Sequence, residues 1–338
     1  MASKLLPLAS AKIGIIGLGN VGGLVANNVL RKGHKLAAVY DLNKAKAASL
    51  PASVTKAGSI GELTEASDIV VTALPVPADV LAVMEGSVIP ALRPGTVWID
   101  HSTTDYQQTL ALARQVEGEK GGHALEAPVT GGIALLRQGK MTTLVGGSRD
   151  LFEHCKPLLL ASCANALYCG AMGTATITKV ISNMLAGAHQ VLTGEALMLA
   201  KRGGVDLRAF FDGIRLSAGN SFVFETEAPL VFNGTFEPDF TIQLHCKDFA
   251  LGAELARKFN SPMQVHALVE QIYNTARVSY GDNVGSSSPP RLLEDSLKTK
   301  LQIPGFEKWT YSTEEVEGGS LGVVQKNIAP IGEAIKKE

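Results

Sequence analysis

"KIGIIGLGNVGGLVANNVL", residues 12–30, decides the fold. A short apolar run containing Ile13, Ile15 and Ile16 reads as a strand, and G-x-G-x-x-G follows as Gly17, Gly19 and Gly22, opening a helical stretch. Gly17 permits the tight turn, Gly19 lets the backbone approach a pyrophosphate, and Gly22 allows close helix packing, so the helix N-terminus can hold phosphates. Leu18, Asn20 and Val21 complete that turn. Three glycines also occur in turns that bind nothing, so a second signal is needed. Asp41 supplies it: it ends the next strand, "AAVYD", where a carboxylate accepts from an adenosine ribose hydroxyl and repels a 2′-phosphate. The cofactor expected is therefore NAD, with Lys44 and Lys46 close enough to accommodate NADP.

Outward from this stretch, "KLAAVYD", "DIVVTAL", "TVWID", "HALEAPV" and "TTLVGG" alternate with helical segments, the rhythm of a parallel sheet wound with crossover helices. Leu74 and Pro75 close one of these strands, at the carboxyl edge where cofactor contacts collect. After Gly173 the rhythm stops. From Thr174 to Arg202 no proline interrupts, apolar residues recur at helical spacing, and Gly203-Gly204 supplies a stop. One long helix is predicted, on the order of 40 Å. Two domains follow: a Rossmann dinucleotide-binding domain over 1–172 and an all-α domain over 173–338, with an extended tail from about 304. In that tail Ser312 and Glu315 have the spacing of a capping box.

Composition narrows the function classes. Thirty-one basic residues against 32 acidic ones give a formal net charge of −1, so nothing in bulk draws the chain to nucleic acid or an anionic membrane. Cys155, Cys163, Cys169 and Cys246 have no C-x-x-C spacing and read as reduced thiols of a cytoplasmic protein. The N-terminal "MASKLLPLASAKIG" lacks a signal peptide's apolar core, and no metal-ligand spacing stands out.

A nicotinamide cofactor needs a protein acid/base, because the substrate exchanges a proton as hydride moves. His101, in "VWIDHSTTDY", is one candidate, or simply a partly exposed loop histidine. Lys179 is the other: it sits among Ile177, Val180, Ile181 and Met184, with Asn183 four residues on and so on the same helix face. Its plain alternative is a lysine snorkelling to water. Burial and a cationic nicotinamide would both lower a lysine pKa. Two loops suit a small anion: "DHSTT", with hydroxyls at Ser102, Thr103 and Thr104, and "APVTGG", with Thr130 and the N–H groups of Gly131 and Gly132. Either alone is also ordinary turn chemistry.

Five of these segments, in order, resemble the β-hydroxyacid dehydrogenase family, which includes 3-hydroxyisobutyrate dehydrogenases and tartronate semialdehyde reductases. They are "IGLGNVG", "DHST" for D-x-S-T, "EAPVTGG" for D-A-P-V-S-G-G, "GAMGTATITKVISNML", and "CKDFALGAELA" for K-D-x-x-L-A. The resemblance implies a Rossmann domain joined by a long helix to an all-α domain, in homodimers or homotetramers. It implies that Lys179 is the general acid/base and Asn183 its substrate-binding companion, and that Ser102, Thr130, Gly131 and Gly132 contact substrate. Thr103 and Lys247 become cofactor contacts, with Asp248 supporting Lys247. The expected activity is reversible hydride transfer between NAD and a small 3-hydroxy acid. The alternatives are an NADP-linked aldehyde or imine reductase, or a non-catalytic dinucleotide-binding module. Glu126 and Thr130 stand where Asp and Ser are usual, Val21 replaces a common methionine, and Ala175 replaces a common glycine.

Overall fold

A computed structural model describes residues 6–236, 239–316 and 321–329. The chain divides into two compact units, Met1–Val180 and Ile181–Glu338, with the division inside the long helix Thr174–Arg202 rather than at its start.

In the first unit, β1 (Ile13–Ile16), β2 (Leu36–Tyr40), β3 (Thr55–Lys56), β4 (Ile69–Thr72), β5 (Val97–Asp100) and β6 (His123–Glu126) form a parallel sheet in the order β3-β2-β1-β4-β5-β6. This is the doubly wound order of a dinucleotide-binding fold. β1, β4 and β5 are buried at every position, as strands covered on both faces must be. One face packs Ile15, Val39, Val71 and Ile99 against Val25, Val29, Phe152 and Leu158. The other packs Val70, Trp98 and Ala124 against Leu63, Met84 and Leu112.

The sheet continues differently from the uniformly parallel rhythm predicted. β7 (Val129–Thr130) and β8 (Met141–Gly147) are antiparallel to each other, β8 is antiparallel to β6, and β9 (Cys163–Gly170) runs parallel to β8. "HALEAPV" is thus two strands, broken at Ala127-Pro128, because proline cannot donate to a ladder.

The second unit is mostly helical. The proline-free stretch is one helix of 29 residues, Thr174–Arg202. Helices Leu207–Arg215, Phe222–Phe232, Ile242–Lys258, Gln264–Tyr280 and Pro290–Leu297 follow. Asp206, Ser221 and Thr241 start three of them by accepting from the amides of Ala209, Phe224 and Leu244. Phe211, Phe224, Phe232 and Phe306 build one core, and Phe249, Tyr273 and Ile242 another.

The unit is not all-α, and this corrects the sequence reading. Thr310–Glu315 (β10) and Leu321–Lys326 (β11) form an antiparallel hairpin, so Ser312 and Glu315 lie in a strand and cap no helix. Tyr311, Ser312 and Thr313 are all buried, and Tyr311 stacks on Trp309 with ring centroids 5.5 Å apart, which favours the pleated form. The tail packs on the helical unit: Phe306 is fully buried in the aromatic core, and Gln325 Nε2 donates to the Glu225 carbonyl at 3.0 Å. No helix among the described residues is long and apolar enough to cross a membrane.

Candidate active site

The glycine turn leaves β1 with Gly17 at φ +90°, where a side chain would be strained and would strike the Ala73 carbonyl. A Cβ at Gly22 would collide with the Gly17 carbonyl, whereas Gly19 borders open space. Helix Asn20–Arg31 begins there, and its N-cap, Gly19, has no side chain to accept from the first-turn amides. The open space over Gly19 and the uncapped helix start are what a pyrophosphate requires, so these residues fit a dinucleotide.

Asp41 follows β2. Leu18 N–H donates to its Oδ2 at 2.7 Å, Asn43 N–H to its Oδ1 at 2.8 Å, and Lys46 Nζ lies 3.4 Å from Oδ2. Burial pushes this carboxyl upward, but the two amides and the Lys46 ammonium outweigh it and hold it below the usual range. Asp41 is therefore an anion that also braces the glycine turn.

The ends of β1, β4, β5 and β6 are in register: Ile16 pairs with Thr72, Thr72 with Asp100, and Asp100 with Glu126. One sheet edge thus gathers the glycine turn, Leu74-Pro75, Ser102-Thr103 and the segment leading to Thr130–Gly132. At its centre Asp100, 2% exposed, accepts from Thr72 Oγ1 at 2.8 Å and from Ser102 N–H at 3.0 Å, while Trp98 Nε1 donates to Thr72 Oγ1. Burial dominates and pushes the Asp100 carboxyl up to about 6, with the Glu126 charge adding to the rise.

Ser102 is buried. Its Oγ accepts from Leu74 N–H at 2.9 Å, and its hydroxyl also bonds Asp100. With its proton committed, the hydroxyl keeps one acceptor position. His101 is not the partly exposed loop residue of the sequence reading: it is 8% exposed, its Nδ1 lies 2.7 Å from the Ala127 carbonyl, and burial lowers its pKa. Thr103 and Thr130 are half-buried, and Gly131 and Gly132 have φ of 118° and 87°, both in the region that favours glycine.

Sequence reasoning overlooked Glu126. Its carboxylate takes the N–H of Gly173 at 2.7 Å and of Ala175 at 2.8 Å on Oε1, and the N–H and hydroxyl of Thr176 at 3.1 and 2.5 Å on Oε2. Burial raises its pKa against these four bonds. The helix bearing Lys179 thus starts on a carboxylate from the end of β6. Only the departure from Asp in "EAPVTGG" hinted at a longer reach.

Lys179 lies in this first unit and is 8% exposed. In the second unit, Asn183 Nδ2 donates to Asp248 Oδ2 at 2.5 Å, His245 Nε2 donates to the Asn183 carbonyl at 3.0 Å, and Lys247 Nζ lies 3.0 Å from Asp248 Oδ1. Asp248 therefore supports both Asn183 and Lys247. A cavity of about 450 Å³ in this unit, lined by Ser288, Arg291 and Gln302 among others, contains none of the site residues read from sequence.

Residues 12–173 match the family described as the NAD binding domain of 6-phosphogluconate dehydrogenase, and residues 173–293 the family described as NAD-binding of NADP-dependent 3-hydroxyisobutyrate dehydrogenase. Mitochondrial 3-hydroxyisobutyrate dehydrogenase of Mus musculus is 31% identical over 283 residues, 81% of this chain and 82% of that protein. 2-(Hydroxymethyl)glutarate dehydrogenase of Eubacterium barkeri is 33% identical over 272 residues, 79% of this chain and 90% of that one. The solved structure of Mycobacterium tuberculosis 3-hydroxyisobutyrate dehydrogenase with L-serine superposes with a TM-score of 0.76 at 25% identity, covering 84% of this chain and 99% of the other. With five ordered motifs, the strand order and these relatives in agreement, the chain belongs to the β-hydroxyacid dehydrogenase family and is an NAD(P)-dependent hydroxyacid dehydrogenase.

Proposed function

We propose that the protein reversibly oxidises a small 3-hydroxy acid to its semialdehyde or keto form, with NAD as the preferred cofactor and Lys179 as the general acid/base. The observation that carries this reading is a lysine only 8% exposed, on a helix whose first turn is held by Glu126 at the sheet edge. Asn183 stands one helical turn further along the same face, its amide held by Asp248. A snorkelling lysine needs neither burial nor such a neighbour.

When bound, the nicotinamide accepts or returns a hydride. In the oxidising direction the neutral Lys179 amine takes the substrate hydroxyl proton; in the reducing direction its ammonium returns it. Asn183, oriented by Asp248, is the substrate-binding companion of that lysine, four residues on along the same helix. Thr130, the N–H groups of Gly131 and Gly132 and the Ser102 loop hold the carboxylate, which leaves the single proton of the substrate hydroxyl to Lys179. Gly17, Leu18, Gly19, Asn20, Val21, Leu74, Pro75 and Thr103 are the proposed cofactor contacts on the sheet edge, and Lys247, paired with Asp248, is one more. The anionic Asp41 supports NAD, because it would repel a 2′-phosphate. L-serine, named with the mycobacterial relative, is itself a 3-hydroxy acid, which supports this substrate class. The reading extends to a cytoplasmic homodimer or homotetramer, supported by four free cysteines and by the family resemblance.

The test is Lys179→Ala, assayed on C3 to C6 hydroxy acids with NAD and NADP in parallel. Turnover should fall roughly 10²- to 10⁴-fold, with NADH affinity unchanged. A folded variant that binds NADH and keeps most of its turnover would overturn the assignment.

A further inference from the structure

We infer that Glu126 is a positioning residue for the reaction: it sets the rotation and height of the Lys179 helix relative to the Thr130–Gly132 loop. This rests on the reading of Lys179 as the acid/base. Glu126 touches neither substrate nor cofactor in this role and acts through the helix it holds.

Three observations carry it. First, both carboxylate oxygens are used, and for different parts of one turn: Oε1 takes the Gly173 and Ala175 amides and Oε2 takes the Thr176 amide and hydroxyl. A single-point cap would leave the helix free to turn about its own axis, whereas two oxygens on successive residues index that rotation. Successive residues of a helix are about 100° apart, so a slip of one position would carry Lys179 off its face. Thr176, held directly, is three residues before Lys179 and shares its side of the helix.

Second, Glu126 ends β6, and Thr130, Gly131 and Gly132 lie four to six residues later on the same segment. One short stretch therefore carries both the anchor for the proton-transferring lysine and the loop proposed to hold the substrate carboxylate. The two ends of a small hydroxy acid are registered against each other through a single side chain.

Third, the surroundings are cut to this longer acid. A Cβ at Gly146 on β8 would collide with Glu126 Oε1, crowd its carboxyl carbon and come within 3.0 Å of the Ala171 carbonyl, so glycine there makes room for the glutamate and for the backbone beside it. Charge-assisted bonds to a helix N-terminus offset part of the cost of burying the carboxylate. A glutamine could not replace it, because its NH₂ would face donors.

The experiment compares Glu126→Gln, Glu126→Asp, Gly146→Ala and the Glu126→Asp/Gly146→Ala pair with wild type. Each protein is quantified by its NADH-binding stoichiometry so that only folded enzyme is counted. Glu126→Gln should lower kcat per folded site by about 10- to 100-fold, the scale of an ångström-sized misplacement, while KM for the dinucleotide stays within about twofold. Gly146→Ala should be damaging beside glutamate and less so beside the shorter aspartate, so the double variant recovers part of kcat relative to Gly146→Ala alone, the contact with the Ala171 carbonyl remaining. Unchanged kcat per folded site in Glu126→Gln, or simple additivity of the pair, would overturn the proposal. Lys179→Ala run alongside separates the two ideas: if it stays active, the acid/base assignment fails, and if it is dead while Glu126→Gln turns over normally, only the positioning role fails.

Discussion

The ends of β2 and β5 use the same device to opposite effect. Asp41, just past β2, and Asp100, the last residue of β5, each accept from three groups. Asp41 has Lys46 beside it and is held below the usual carboxylate range, whereas Asp100, with no more than hydroxyls and an amide, is pushed up to about 6 by burial. Donors are similar in number at the two ends, so depth and the adjacent cation decide the charge state. One carboxylate stays ionised at the sheet edge, beside the glycine turn. The other braces Thr72, Ser102 and, through Ser102, the Leu74 amide.

The largest contrast is in stability. Asp100→Ala strands the Thr72 hydroxyl and the Ser102 amide in the interior and should lower unfolding free energy by about 2–4 kcal/mol in a denaturant titration. A loss under about 1 kcal/mol would show that the network does not hold the β4 and β5 ends together.

Next comes the pH dependence. The Asp100 carboxyl rises from 3.8 in the unfolded chain to about 6 in the fold, so the folded state binds the proton more tightly. Its contribution to stability is complete below the unfolded value and is lost as pH climbs through the folded one. Two units correspond to on the order of 3 kcal/mol between about pH 4 and about pH 7. Asp100→Asn should remove that slope, becoming more stable relative to wild type at neutral pH than in acid. Parallel stability curves for the two proteins would contradict the buried, proton-binding state of Asp100.

None of this difference was visible along the chain. Gly17, Gly19, Gly22 and Asp41 were legible because turn, strand end and helix start are local patterns, and the helix Thr174–Arg202 was legible because 29 residues run without a proline and end at Gly203-Gly204. Asp100 and Glu126 were not, because what they do depends on residues brought in by the sheet. The partners of Glu126 lie 47 to 50 positions away. β9 also escaped: "CANALYCG" lacks the β-branched run that marked the inner strands, and its burial is patchy. In the tail, the Ser312 and Glu315 spacing fitted a helix start, yet Tyr311 packs on Trp309 and edge-on against Phe222, and the hairpin prevails. Lys179 stood out as a cation among apolar neighbours, but its anchoring became evident only with Glu126 in place.

The smallest effect on stability should come from the other end of the comparison. Asp41→Asn keeps an oxygen for the Leu18 or Asn43 amide but turns its NH₂ toward the other, and it also gives up the charge and the partly exposed pair with Lys46, so unfolding free energy should fall by about 1–2 kcal/mol, less than at Asp100. Its consequence lies in binding. With the anion gone, a 2′-phosphate no longer meets like charge, and Lys46, freed from Asp41, becomes available to it. Fluorescence titration with NADH and NADPH should show the ratio of NADH to NADPH affinity falling by about tenfold, equivalent to roughly 1.4 kcal/mol. An unchanged ratio would mean that cofactor choice is made elsewhere on the sheet edge, and that Asp41, like Asp100, serves chiefly to brace the turn beside it.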